Sequence, residues 1–184
     1  MDSKLITEFS AKFPALAEEL GPANLEILLS ATTPLELPVN RKIIRDRMPV
    51  DSLFLILDGK VAISVEANKR AIKLGELGPG EWLGEVSVLS GELLASSTVT
   101  TEAPSRFLRL RHEKFEELIW KNAEVSGVLL RQLVLMLADR LRKSGATLKQ
   151  PPPVQTVEAN EADPTPSNVR GRNWLESFFG GAGK

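Results

Sequence analysis

A short segment near the middle of the chain combines residue types that can hold a small anion. Gly84 precedes Glu85 and the apolar run 86–89, which predicts a tight turn followed by a short helix. A glycine at this position lets backbone N–H groups, here those of Val86 and Ser87, point toward an anion. Glu85 also has a simpler interpretation, because a carboxylate in the first turn of a helix stabilises that helix.

The same segment resembles the phosphate-binding cassette of the cyclic nucleotide-binding domain family. In that family Gly-Glu opens a short helix, the glutamate holds the ribose hydroxyl, and a later Pro-Arg-small-Ala run holds the cyclic phosphate. The resemblance implies a ligand pocket formed by Gly84, Glu85, Val86, Ser87, Ala95, Ser96 and Ser97. The corresponding run here is Leu94-Ala95-Ser96-Ser97, which lacks both the proline and the arginine.

The missing arginine favours one of two functions. Ser96 and Ser97 can donate hydrogen bonds, but a buried ligand anion without a cationic partner costs on the order of 2–5 kcal/mol. We therefore expect no cofactor, loss of cyclic AMP and cyclic GMP binding, and a regulatory protein that acts through a protein partner. The alternative is a sensor of a cyclic mono- or dinucleotide that uses a cation from elsewhere, such as Arg45, Arg47 or Arg106.

Composition excludes several other classes of protein. The chain has no cysteine and a single histidine, His112, which we expect to be a solvated surface residue, so the sequence predicts neither a metal site nor an enzyme. A net charge of −1 and a tail with few cations argue against nucleic-acid binding, and nothing after Lys149 predicts a helix-turn-helix. Without an apolar leader or a spanning segment, we expect a cytoplasmic protein.

The surrounding pattern predicts a mainly β fold with flanking helices. Residues 2–31 carry an apolar helical stripe interrupted at Pro14 and Gly21. Short alternating runs from 33 to 111 predict a β-roll or jelly-roll barrel. Two of these runs flank Asp58 and Gly59, which predicts a β-hairpin.

The stretch 51–61 resembles the central hairpin of the same family, and the two resemblances together imply a cyclic nucleotide-binding-like domain. We place this domain at residues 22–148, after an N-terminal helical segment at residues 1–21.

Helical patterns return after His112, with a short helix and then a longer one over residues 125–143. The longer helix is apolar nearly all round, so one face is left over after packing on the barrel. In the family the equivalent helix is the dimer seam, which implies a homodimer through Leu129, Leu133, Met136, Leu137 and Leu141. The alternative is that the N-terminal helices cover this face within one chain.

The composition changes again beyond residue 148. Residues 149–168 are rich in Pro, Glu, Asp and Thr, which predicts a disordered linker. Residues 169–184 bring aromatic and aliphatic side chains together at helical spacing: Trp174, Leu175, Phe178 and Phe179. Such a cluster on a tether predicts a short motif that folds onto a protein partner, although it can also fold back on its own domain.

Overall fold

A computed structural model describes residues 3–67, 70–90 and 94–148. The helices are α1 (Ser3–Lys12), α2 (Pro14–Ser30), α3 (Glu85–Ser90), α4 (His112–Lys121) and α5 (Ala123–Leu148). The strands are β1 (Thr33–Leu37), β2 (Lys42–Ile44), β3 (Ser52–Asp58), β4 (Val61–Ala67), β5 (Arg70–Leu77), β6 (Trp82–Leu83), β7 (Thr98–Thr101) and β8 (Ser105–Arg111). Pro14 occupies the first turn of α2, and Gly21 (φ 69°) kinks that helix, as the sequence predicts.

Within the described ranges the strands form two four-stranded antiparallel sheets. One sheet has the order β1-β8-β3-β6, and the other has the order β2-β7-β4-β5. The prediction of a mainly β fold with flanking helices is therefore confirmed. The compact unit extends to Thr147 and includes the N-terminal helices. The predicted boundary at residue 21 stays a prediction.

Strand β3 lies between β8 and β6 in the first sheet. Its residues are buried on both faces from Ser52 to Leu57, which explains its unbroken apolar sequence. Leu53 and Leu55 pack into a core shared with the helices, whereas Phe54 and Ile56 pack toward the second sheet. The domain therefore has three layers: helices, the β3-containing sheet, and the sheet that carries β4.

The turn at Asp58 and Gly59 is present, but it does not close a hairpin. Strand β3 pairs with β8 and β6, and β4 pairs with β5 and β7, so the predicted β3–β4 pairing is wrong. Gly59 has φ 95°, and a Cβ atom there would lie 2.6 Å from the carbonyl oxygen of Pro104. The glycine is thus required by a corner at which the chain passes from one sheet to the other.

Helix α5 packs against the N-terminal helices through its most apolar face. Leu129 and Leu133 are completely buried and share a core with Phe9 and Leu20. The Gln132 amide donates to the Glu19 carboxylate at 2.7 Å, which ties α5 to α2. For Leu129 and Leu133 the predicted role in a dimer seam is therefore wrong, because the N-terminal helices already cover them.

The other predicted seam residues keep some accessible surface. Met136 and Leu137 are half-buried, and Leu141 is 72% exposed. Val134 and Leu135 are exposed on the same helix. An apolar strip therefore remains on α5, and it contains Leu141 of the predicted seam together with Val134 and Leu135.

A network of ion pairs among four exposed charged side chains lies at the β4-containing sheet. The Lys73 ammonium lies 2.5 Å from both Glu76 and Glu102, and Lys60 pairs with the same two carboxylates. Hydrogen bonds from Lys60 and then Lys73 lower the pKa of Glu76 from its ordinary value of 4.5 to about 2. On α4, hydrogen bonds from Lys114 and Lys121 lower the pKa of Glu117 to about 2.

The lowered pKa values of Glu76 and Glu117 predict that the folded chain loses stability as the pH falls. Because the pKa in the folded chain is below that in the unfolded chain, their stabilisation is present above about pH 4.5 and is lost as the pH falls toward 2. Both groups are exposed, so each effect is small. We expect urea unfolding to show a shallower decline between pH 5 and 2 in Glu76→Gln than in the wild type, and parallel declines would contradict this expectation.

Candidate functional site

The predicted cassette forms the turn and the short helix that the sequence indicates. Gly84 has φ 81°, and a Cβ atom on it would lie 2.4 Å from the Ser52 carbonyl oxygen. Only glycine therefore allows β6 to pass so close to β3 before α3 begins at Glu85. The close approach places Glu85 at the wall of a cavity, where the residue is only 5% exposed.

Glu85 is held by an arginine from a distant helix. The Arg140 Nη1 donates to Glu85 Oε1 at 2.5 Å, and Arg140 Nη2 donates to the Trp82 carbonyl oxygen at 2.5 Å. The side chains of Arg140 and Glu85 are 26% and 7% exposed. A charge pair withdrawn from water in this way needs both partners, because removal of either leaves a buried charge uncompensated.

The cavity beside this ion pair is small. Its free volume is about 60 Å³, whereas sites for small organic ligands are commonly about 300–1,000 Å³. The lining includes Gly84, Glu85, Val86, Ala95, Ser96, Ser97 and Arg140, together with aliphatic residues of the second core. The structure thus brings together six of the predicted pocket residues. Ser87 lies in α3, and its side chain is outside the described part of the chain.

Ala95 stands where the resemblance implies an arginine, and its side chain is buried in the second core. Its backbone is also engaged: the Ala95 N–H donates to the Met48 carbonyl oxygen, and the Arg47 N–H donates to the Ala95 carbonyl oxygen, both at 2.9 Å. This position therefore presents a methyl group and no charge to the cavity.

The three cations suggested by the sequence do not line this cavity. Arg45 and Arg47 line a separate surface groove. Arg106 Nη2 donates to Glu8 Oε2 of α1 at 2.5 Å, and this hydrogen bond raises the pKa of Arg106. The cation of the cavity is Arg140, which sequence reasoning missed.

A sequence signal for Arg140 does exist. Leu129, Leu133, Met136 and Arg140 follow one another at helical steps of four, three and four, so they share one side of α5. A single arginine that continues a buried stripe is typical of a charge with a partner inside the fold. The pattern does not identify Glu85 as that partner.

His112 is less exposed than predicted. Its side chain is 25% exposed, its Nε2 lies 3.3 Å from Glu116 Oε1, and its buried Nδ1 has no hydrogen-bond partner. The described ranges contain no group of three or more residues that could ligate a metal ion. No helix in these ranges has both the length and the apolar character needed to cross a bilayer.

Comparison with known proteins agrees with the resemblance seen in the sequence. Residues 34–122 match the model of the cyclic nucleotide-binding domain. The fold is similar to that of a cyclic nucleotide-binding domain from Methylobacillus flagellatus, with a TM-score of 0.70 and 22% identity over 81% of this chain and 88% of that one. The predicted jelly roll of this family is therefore confirmed.

The curated relatives are longer proteins. A CRP-like cAMP-activated global transcriptional regulator of Mycobacterium tuberculosis is 30% identical over 69% of this chain and 55% of its own length. Glutaminase 2 of Bradyrhizobium diazoefficiens is 26% identical over 72% of this chain and 20% of its own length. The chain thus spans between a fifth and about half of the length of these relatives.

Proposed function

We propose that this chain is a non-enzymatic regulatory protein whose cyclic nucleotide-binding-like domain acts through contact with another protein. In this proposal the domain does not respond to cyclic AMP or cyclic GMP. The observation that carries the proposal is the ion pair between Arg140 and Glu85. The glutamate that the family uses for the ribose already has a charged partner from the same chain.

Breaking this ion pair opposes nucleotide binding. A ligand that uses Glu85 must first separate it from Arg140, and separating a buried, hydrogen-bonded pair costs on the order of 2–5 kcal/mol. That cost corresponds to a loss of roughly thirty-fold to several-thousand-fold in affinity. The small cavity and the methyl group of Ala95 also oppose nucleotide binding.

One observation favours the second candidate, a small-molecule sensor. Arg140 Nε is buried and has no hydrogen-bond partner. An anionic ligand that displaced Glu85 from the guanidinium would gain a cation that the cassette itself lacks. In that case a cyclic mono- or dinucleotide would bind with a rearrangement of α5.

A thermal-shift titration separates the two candidates. We expect no change in the melting temperature of the wild type with submillimolar cyclic AMP, cyclic GMP or a cyclic dinucleotide. A ligand at one hundred times its Kd would add about 2.7 kcal/mol and raise the melting temperature by several degrees. Such a shift would contradict the interaction proposal and support the sensor.

The location of the protein contact is a separate question. The aromatic motif with Trp174, Leu175, Phe178 and Phe179 lies outside the described residues and stays a prediction. A homodimer through the exposed strip of α5 also stays a prediction. The described domain carries a further candidate surface, a groove lined by Arg45 and Arg47.

A further inference from the structure

A surface groove next to the cassette is lined by three cations. Lys42, Arg45 and Arg47 line a groove of about 500 Å³, which is separate from the cavity that holds Arg140. Within the described part of the chain, Lys42 and Arg45 make no ion pair. The Arg47 side chain is 90% exposed, and its only ion pair with a described residue is a 3.9 Å approach to Asp46. A loose contact of this kind at the surface contributes little, so the charge of Arg47 is available to a ligand.

The backbone holds two of these cations in a fixed turn. Arg47 has φ 59°, a left-handed conformation that is uncommon for a residue with a side chain. Three hydrogen bonds hold this turn: Arg47 N–H donates to the Ala95 carbonyl oxygen, Ala95 N–H donates to the Met48 carbonyl oxygen, and Asp46 N–H donates to Thr98 Oγ1 at 3.1 Å. Holding a non-glycine residue in this region strains the backbone, and such residues concentrate at binding sites.

The remaining lining of the groove restricts the chemistry of its ligand. Asp46 and Glu66 line it together with the cations, so a continuous phosphate backbone would meet like charges. Met48, another lining residue, is 53% exposed and offers apolar contact. The groove therefore offers separate cations beside an apolar side chain. Its complement in charge is a peptide with carboxylates on either side of an aliphatic or aromatic residue.

We propose that this groove docks an acidic peptide segment of a partner protein through Arg45, Arg47 and Lys42, with an apolar peptide residue against Met48. The inference rests on the proposed function, because it identifies where the protein contact is made. Recognition is electrostatic in large part, so binding weakens as salt approaches physiological strength, where the Debye length is about 8 Å.

The test uses the full chain and a fluorescein-labelled peptide of glutamates around a central leucine, followed by fluorescence anisotropy at low salt. We expect saturable binding that falls at least tenfold in the double variant Arg45→Gln/Arg47→Gly. Glycine is chosen because it accepts the positive φ of residue 47, so the turn is kept while the charge is removed. Circular dichroism and thermal unfolding confirm that each variant is folded.

Two matched variants control for the fold and for overall charge. Arg47→Lys keeps the cation and should bind within about threefold of the wild type. Arg111→Gln removes an exposed cation outside the groove and should bind within about twofold. An equal loss in Arg111→Gln and in the double variant would overturn the proposal, as would the absence of saturable binding to the wild type.

Two competing probes address other anionic partners. Phosphatidylserine vesicles or a single-stranded oligonucleotide that bound more tightly than the peptide, with the same loss in the double variant, would overturn the assignment to a peptide. The cyclic-nucleotide titration is independent of this result. A chain that binds a cyclic nucleotide and also the peptide would contradict the proposed function alone, whereas a chain that binds neither would overturn only the groove.

Discussion

Replacement of Arg140 by methionine should lower the free energy of unfolding by about 2–4 kcal/mol. Truncating one partner of a fully buried ion pair costs about 3–5 kcal/mol, because the other charge is left without compensation. The expected value lies toward the lower end because the Arg140 side chain remains 26% exposed, whereas Glu85 is almost completely enclosed. Urea denaturation of the purified chain measures this loss.

Arg142 provides a matched control two residues further along α5. It is exposed, so Arg142→Met should change stability by no more than about 0.5 kcal/mol. Glu85→Gln removes the buried charge, and the double variant Glu85→Gln/Arg140→Met should recover part of the loss of Arg140→Met. A coupling energy above about 1 kcal/mol would establish the pair, and equal effects of Arg140→Met and Arg142→Met would contradict it.

Leu133→Glu should unfold the domain. Leu133 is completely buried between α5 and the N-terminal helices, and truncation of a buried leucine alone costs about 2–5 kcal/mol. A glutamate at this position adds the burial of a carboxylate among apolar groups. We expect loss of the cooperative urea transition, with aggregated or unfolded protein in size-exclusion chromatography.

Leu141→Glu on the same helix tests the dimer separately. Leu141 is 72% exposed, so this substitution should leave the unfolding free energy nearly unchanged. If the exposed strip of α5 joins two copies, Leu141→Glu should lower the mass observed by light scattering at tens of micromolar. A Leu133→Glu variant that remained folded and only failed to self-associate would contradict the burial of Leu133. Such a result would support the predicted dimer interface at this residue.

The sequence alone was sufficient for the family resemblance, the mainly β fold and the place of the cassette. The two resemblances, at residues 51–61 and 84–89, lie on β3 with its following turn and on α3. Gly59 and Gly84 were predictable as turn residues because few other residues adopt their backbone conformations. The apolar run of β3 also indicated a buried strand.

Which strands pair was decided by the tertiary structure. Asp58 and Gly59 predict a reversal of the chain, and local turn chemistry is the same whether the two strands pair or enter different sheets. Strand β3 is apolar on both faces and already has β8 and β6 at its two edges. The following strand therefore joins the second sheet, and the predicted hairpin becomes a corner.

The site was likewise only half determined by local sequence. Glu85 and Ala95 could be identified from the cassette, but the partner of Glu85 lies 55 residues away on α5. The apolar residues of α5 surround the helix nearly all round, so periodicity could not select the face that α1 and α2 cover. Packing of Leu129 and Leu133 against these helices sets the rotation of α5, and that rotation directs Arg140 into the cavity.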